Sequence, residues 1–131
     1  MPIVAFYAAV LGVLFVGLSV RTLRMRRTLR IAVGDAGNPA MLRAMRVHSN
    51  FAEYVPISLL LIYFVESGAA PVWLVHGLGL GLLIGRGVHA YGLSRLDEDY
   101  RFRVVGMTLT LTVLLVASTS LLLRCARQAL G

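Results

Sequence analysis

Arg43-Ala44-Met45-Arg46-Val47-His48-Ser49-Asn50-Phe51-Ala52-Glu53-Tyr54-Val55-Pro56 is the stretch on which the fold turns. It begins as charged surface and ends as hydrocarbon within one helical run, because the residues from Ile57 to Val65 are almost wholly apolar. At about 100° per residue, Arg43, Arg46, Asn50, Glu53 and Tyr54 fall within roughly a 100° arc of an α-helix. A polar stripe carrying both signs of charge therefore enters an apolar layer on one helix face. An ionised group at such depth costs about 2.5–3.5 kcal/mol unless it is paired or hydrated. The stripe demands a reason.

The apolar layer is a membrane. Of 131 residues, 58% are hydrophobic, and the mean hydropathy is +0.79. A soluble domain of this size has too little interior to hide that much apolar surface. The apolar residues come in runs of about 18 to 22, the length that crosses a ~30 Å hydrocarbon core. The chain reads as a single all-α integral membrane domain with no room for a second. Its thirteen basic residues are all arginine and its net charge is +7. These arginines gather at span ends, where membrane topology explains them and no nucleic-acid partner is implied. The lone Cys125 excludes an intrachain disulfide and a cysteine-built metal site.

Outward from the stripe, four spans are expected, at about 3–20, 47–65, 72–93 and 104–123. No charged segment precedes the first, and no cleavage pattern leads into a polar mature chain, so it reads as a retained helix. Arg21, Arg24, Arg26, Arg27 and Arg30 follow it, then the turn cluster Gly34-Asp35-Ala36-Gly37. Asn38-Pro39 is an N-cap with proline at the first helical position. The second helix then runs from about Pro39 to Glu66, about 42 Å, with Pro56 predicted to kink it. Ser67-Gly68-Ala69-Ala70-Pro71 is a short turn, which makes the second and third helices antiparallel neighbours. In the third, Gly77, Gly81 and Gly85 form a small-residue ridge for close helix packing. Ser94 to Arg103 is a second charged loop with three arginines and three acids. The two loops at 21–46 and 94–103 together hold ten arginines. The positive-inside bias puts both in the cytoplasm and both termini on the other side.

Arg86 and His89, three residues apart, share a face of the third span, and Arg103 marks the entry to the fourth. With Arg26, Arg27 and Arg30, every helix presents arginine at one level. A ring of guanidinium groups with one carboxylate (Glu53) and one amide (Asn50) suits a small anionic ligand. Competing explanations stand beside this one. Arg21, Arg24, Arg95, Arg124 and Arg127 serve as topology signals that snorkel to headgroups, and Arg43 is expected at the surface. Arg46–Glu53 or Arg86–Glu53 as a purely structural pair remains open. His48 and His76 are expected to be packed or interfacial. No His-Glu-x-x-His, Walker loop, Gly-x-Ser-x-Gly elbow or cysteine pair is present in the sequence, which points away from covalent catalysis by the protein.

These residues resemble the family of membrane-associated proteins in eicosanoid and glutathione metabolism (MAPEG), especially its small bacterial branch. The likeness covers nearly the whole chain. It rests on Arg46-x-x-x-Asn50-x-x-Glu53-Tyr54-x-Pro56, Arg26-Arg27-x-x-Arg30, Gly34-Asp35, Arg86-x-x-His89-x-Tyr91-Gly92, and Arg103 before Gly106-Met107. The resemblance implies a four-helix up-and-down protomer assembled as a homotrimer in a bacterial inner membrane, with glutathione as co-substrate and no metal. It implies that Arg46, Asn50, Glu53 and Tyr54 hold the tripeptide; the arginine ring read from the residues adds Arg86 and His89 as a third-span wall. It also implies that Arg103 stabilises the thiolate and that the cluster Arg26, Arg27 and Arg30 reaches in from the adjoining subunit. Where relatives carry a tyrosine pair on the third span, this chain has His89 and Leu93.

The expected function is that of a glutathione-dependent transferase or peroxidase acting on lipophilic electrophiles drawn from the bilayer. The alternatives are a trimer that binds a lipid or conjugate without turnover, and a proton-coupled exporter using Glu53. The arginines around Glu53 argue against the exporter.

Overall fold

The computed structural model describes residues 2–97 and 99–130. Glu98, one of the three acids of the second charged loop, lies outside the described residues. Four helices account for the fold: α1 (Ile3–Leu29), α2 (Pro39–Ser67), α3 (Val72–Ser94) and α4 (Tyr100–Leu130). The helix boundaries at 39, 67 and 72 match the turn chemistry closely. Asn38 caps α2, its Oδ1 accepting from the backbone N–H of Ala40 and Met41 at 3.0 Å each. The helix passes through Pro56 without a break. The second charged loop is shorter than expected, since α4 already begins at Tyr100.

Contacts at the helix ends establish the up-and-down order. At one level, Glu66 near the end of α2 meets the start of α1, and a Cβ on Gly68 would collide with the Arg124 guanidinium late in α4. At the other level, Arg21 late in α1 donates to Ser94 at the end of α3, and Gly92 of α3 lies against Phe102 early in α4. Among the described residues, α2 touches all three other helices, whereas α1 packs on α2 and α3 but not on α4.

α1 begins without a side-chain cap of its own. Its first N–H groups have no intrahelical acceptor, and Pro2 has no side chain to offer one. The Glu66 carboxylate supplies it from α2, with one oxygen accepting from Ile3 N–H and the other from Val4 N–H at 3.0 Å. A carboxylate at a helix N-terminus also meets the favourable end of the helix dipole.

The core is a thin seam between the helices, with Leu11, Ile62, Leu82 and Ala117 fully buried in it. Large apolar side chains such as Val13, Trp73, Leu115 and Leu122 point outward instead. That distribution suits lipid, not water, as the surrounding solvent. Among the described residues, α1, α3 and α4 are long and apolar enough to cross a membrane, while the polar stripe keeps α2 out of that class.

Close approach of α3 and α4 depends on glycine. A Cβ on Gly106 would lie 2.6 Å from Gly85 O, His89 N and His89 Cβ. The glycine ridge of α3 is less regular than its spacing promised. Gly81 and Gly85 face α4, while Gly77 has nothing within 4 Å and Gly79 lies against the Tyr7 ring of α1. Four residues advance a helix by about 400°, so a four-residue repeat drifts by roughly 40° per step and leaves the interface.

Candidate functional site

The α2 stripe faces an open cleft of about 720 Å³ walled by α2, α3 and α4. Arg46, Asn50 and Glu53 come from α2, His89 and Leu93 from α3, and Arg103, Met107 and Thr108 from α4. Five of the residues singled out in the sequence therefore meet in one place: Arg46, Asn50, Glu53, His89 and Arg103. The α4 wall continues as Val104 and Leu111, so apolar surface lies directly beside the charged wall.

Each side chain has a local reason for its position. Arg46, Asn50 and Glu53 recur at three- and four-residue steps and so stack on one helix face. Gly92 admits the start of α4, since a Cβ there would stand 2.7 Å from Phe102 Cβ and 3.1 Å from Arg103 N. That approach sets Arg103 against the end of α3. His89 is 4% exposed and sits where Gly106 lets the α4 backbone come close. Arg46 and Glu53 are both exposed in the protomer. Among the described residues, neither Arg46 nor Arg86 pairs with Glu53.

Arg86 lies behind the cleft, not on it. It is 1% exposed. Its Nη1 donates to Asn50 Oδ1 at 2.6 Å, and its Nη2 points to Met107 Sδ at 3.4 Å. Tyr54 also turns away from the cleft, with its ring centroid 5.7 Å from the Arg86 guanidinium carbon. Tyr54 sits at the edge of the stripe's arc nearest α3, so it packs on Arg86 where a ligand contact was expected.

Arg27 and Arg30 are exposed near the end of α1 and do not reach the cleft of their own chain. Arg26 folds back to donate to Ala32 O and Gly34 O at 3.4 and 3.0 Å, which ties down the connection to α2. His48 packs as expected, stacked on Phe15 at 4.8 Å and bonded through Nε2 to Ser19 Oγ at 3.0 Å. His76 pairs with the Tyr7 hydroxyl at 3.1 Å. Arg43 was expected at the surface, yet it lines the cleft and donates to Leu93 O at 3.3 Å. Ser49 also lines it; its spacing of three from Arg46 and four from Glu53 would have been the signal. Met107 and Thr108 carried no such signal. A second cavity, about 300 Å³ on the α1 side of α2, is lined by apolar residues including Phe15, Phe51 and Pro56 and offers no polar chemistry.

A helical bundle whose outward face is apolar and whose two-signed polar cleft opens beside apolar surface defines an integral membrane protein. The MAPEG family model matches residues 4–123, and the chain belongs to that family. It is similar to the inner membrane protein YecN of Escherichia coli (strain K12), at 38% identity over 112 residues, which is 86% of this chain and 84% of that protein. YecN of Escherichia coli O6:H1 (strain CFT073) matches with the same identity and coverage.

Proposed function

We propose that the protein binds glutathione in the α2–α3–α4 cleft and uses it as a transferase or peroxidase on lipophilic electrophiles. The observation that carries this is the meeting of Arg46, Asn50, Glu53 and Arg103 around one cleft of about 720 Å³, within the usual range for small-ligand sites. The residues fit a peptide with two carboxylates, an ammonium group and a thiol. Arg46 clamps a carboxylate, Glu53 accepts from the ammonium, and Asn50 hydrogen-bonds the peptide. When bound, the thiol supplies the nucleophile as its thiolate. Arg103 favours that form. Lowering a thiol pKa by ~2 units requires about 2.7 kcal/mol of preferential thiolate binding; Arg103 is exposed in the protomer, so it supplies this once the ligand and the neighbouring subunit displace its water.

In the same proposal the protomers form a homotrimer in a bacterial inner membrane, with all four helices crossing and the arginine-rich loops cytoplasmic. Arg27 and Arg30, which point away from their own cleft, complete a neighbour's. The Val104–Leu111 side of the cleft receives the lipophilic substrate from the bilayer.

Titration of glutathione and an S-alkyl analogue into detergent-purified protein tests the reading, with Arg46→Ala as control. Binding that disappears in Arg46→Ala supports it; no binding at millimolar glutathione overturns it. One observation favours a second reading. His89 and Leu93 both line the cleft in place of the tyrosine pair of glutathione-using relatives, so those hydroxyls are missing from the site. A trimer that holds a lipid or conjugate without turnover accommodates that change. Ligand-induced thermal stabilisation without turnover of a chlorodinitrobenzene or an organic hydroperoxide would select it.

A further inference from the structure

Arg86 is a buried guanidinium without a counter-charge. No carboxylate among the described residues lies within reach of it; its Nη1 donates to Asn50 Oδ1 at 2.6 Å and more distantly to Asn50 O at 3.5 Å. Among the described residues, its Nη2 has only the weak acceptor Met107 Sδ, and its Nε is buried with no partner. A lone buried cation of this kind is costly, and the role of the residue must offset the cost. Topology does not supply that role, because the side chain is enclosed by Tyr54, Asn50 and Met107 and does not snorkel.

We infer that Arg86 is a positioning residue that fixes which way the Asn50 amide faces, so that the α2 wall of the cleft offers hydrogen-bond donors and selects a ligand bearing a carboxylate or carbonyl at that point. This rests on the cleft being the ligand site proposed above. The orientation follows from donor and acceptor chemistry. Guanidinium has five donors and no acceptor, so the amide atom beside Arg86 is necessarily Oδ1. Turning the amide over would set its NH₂ against N–H groups. With Oδ1 held inward, Nδ2 is the amide atom left for the cleft that Asn50 lines. The bond to a charged donor also polarises the amide and strengthens Nδ2–H as a donor. Behind the wall, the uncompensated guanidinium adds a fixed positive field where an anion would sit. The wall is thus set before any ligand arrives.

Two measurements on the full chain in detergent test this. In the first, glutathione affinity is compared across wild type, Arg86→Met, Asn50→Ala and the double variant. Arg86→Met is expected to weaken binding about ten-fold in the wild-type background and not further in the Asn50→Ala background, with Arg86→Lys recovering part of the loss. Equal losses in both backgrounds overturn the inference, because a merely structural role would act in both. The second measurement needs no ligand. Asn50→Asp gives the buried guanidinium the carboxylate it lacks, so its melting temperature is expected to rise, whereas its glutathione binding is expected to vanish because the cleft-facing donors are gone. An unchanged or lowered melting temperature in Asn50→Asp overturns the amide orientation, and retained binding overturns the donor role. Wild-type protein that fails to bind glutathione would instead sink the proposed function, while the melting temperatures would still decide whether Arg86 positions Asn50.

Discussion

Gly106→Ala is the sharpest probe of how the bundle holds its site. The added Cβ would stand 2.6 Å from Gly85 O, His89 N and His89 Cβ. Two of those atoms are backbone and the third is rigidly attached to it, so no side-chain rotation relieves the clash. Restoring an ordinary contact of 3.4 Å requires α3 and α4 to part by 0.8 Å along that line. Overpacking of this kind costs about 1–3 kcal/mol, with this site near the upper end for want of a flexible neighbour. The better helix propensity of alanine returns up to about 1 kcal/mol. A net destabilisation of about 1–2 kcal/mol remains, or a fall in melting temperature of roughly 3–8 °C for a chain of this length. Far-UV circular dichroism of the detergent-solubilised protein measures it. Because His89 and Arg103 sit on the two helices being separated, glutathione affinity should fall in the same variant. Gly77→Ala, with nothing within 4 Å, is the control: it should leave glutathione affinity unchanged and raise the melting temperature slightly through the same propensity gain. An unaltered melting temperature in Gly106→Ala would refute the close α3–α4 crossing.

Other perturbations give distinct outcomes. Glu66→Gln keeps the shape but removes the charge that caps α1, and should cost about 0.5–2 kcal/mol in thermal unfolding. Ser19→Ala leaves His48 Nε2 without its partner at the α1–α2 contact and should cost about 1 kcal/mol. Arg26→Ala frees the segment between α1 and α2, read as faster amide exchange around Ala32 and Gly34 with little change in global stability. Arg103→Ala should reduce glutathione-dependent turnover at neutral pH by about 25-fold if a ~2-unit thiol shift from about 8.5 comes from that residue. Unchanged turnover would remove Arg103 from the thiolate role.

The parts of this architecture written as periodicity or turn chemistry were legible without coordinates. Asn38-Pro39 announces the start of α2, and the three- and four-residue steps from Arg46 to Glu53 place one wall of the cleft. Three-dimensional partners were harder to read. The stripe spans roughly a 100° arc, wide enough that its two edges meet different neighbours; Arg46 and Glu53 face the cleft while Tyr54 packs on Arg86. Arg86 belonged to the site by its level in the membrane, but only its burial and its bond to Asn50 Oδ1 reveal that it stands behind the cleft wall. Arg43 looked like surface because its acceptor is a backbone carbonyl at the end of another helix, and carbonyls leave no trace in composition. Gly106 has no glycine partner in its own helix and becomes visible only where α3 crosses it.

The carboxylate that caps α1 carries a consequence for biogenesis. Glu66 lies 63 residues downstream of Ile3, so when α1 leaves the ribosome its acceptor has not yet been made. Until α2 has been synthesised and has packed alongside, the leading end of α1 must borrow hydrogen bonds from water or lipid phosphates. Insertion thus proceeds with one loose end that closes late, and a ribosome pausing before codon 66 would leave a helix parked in the bilayer but not yet fastened.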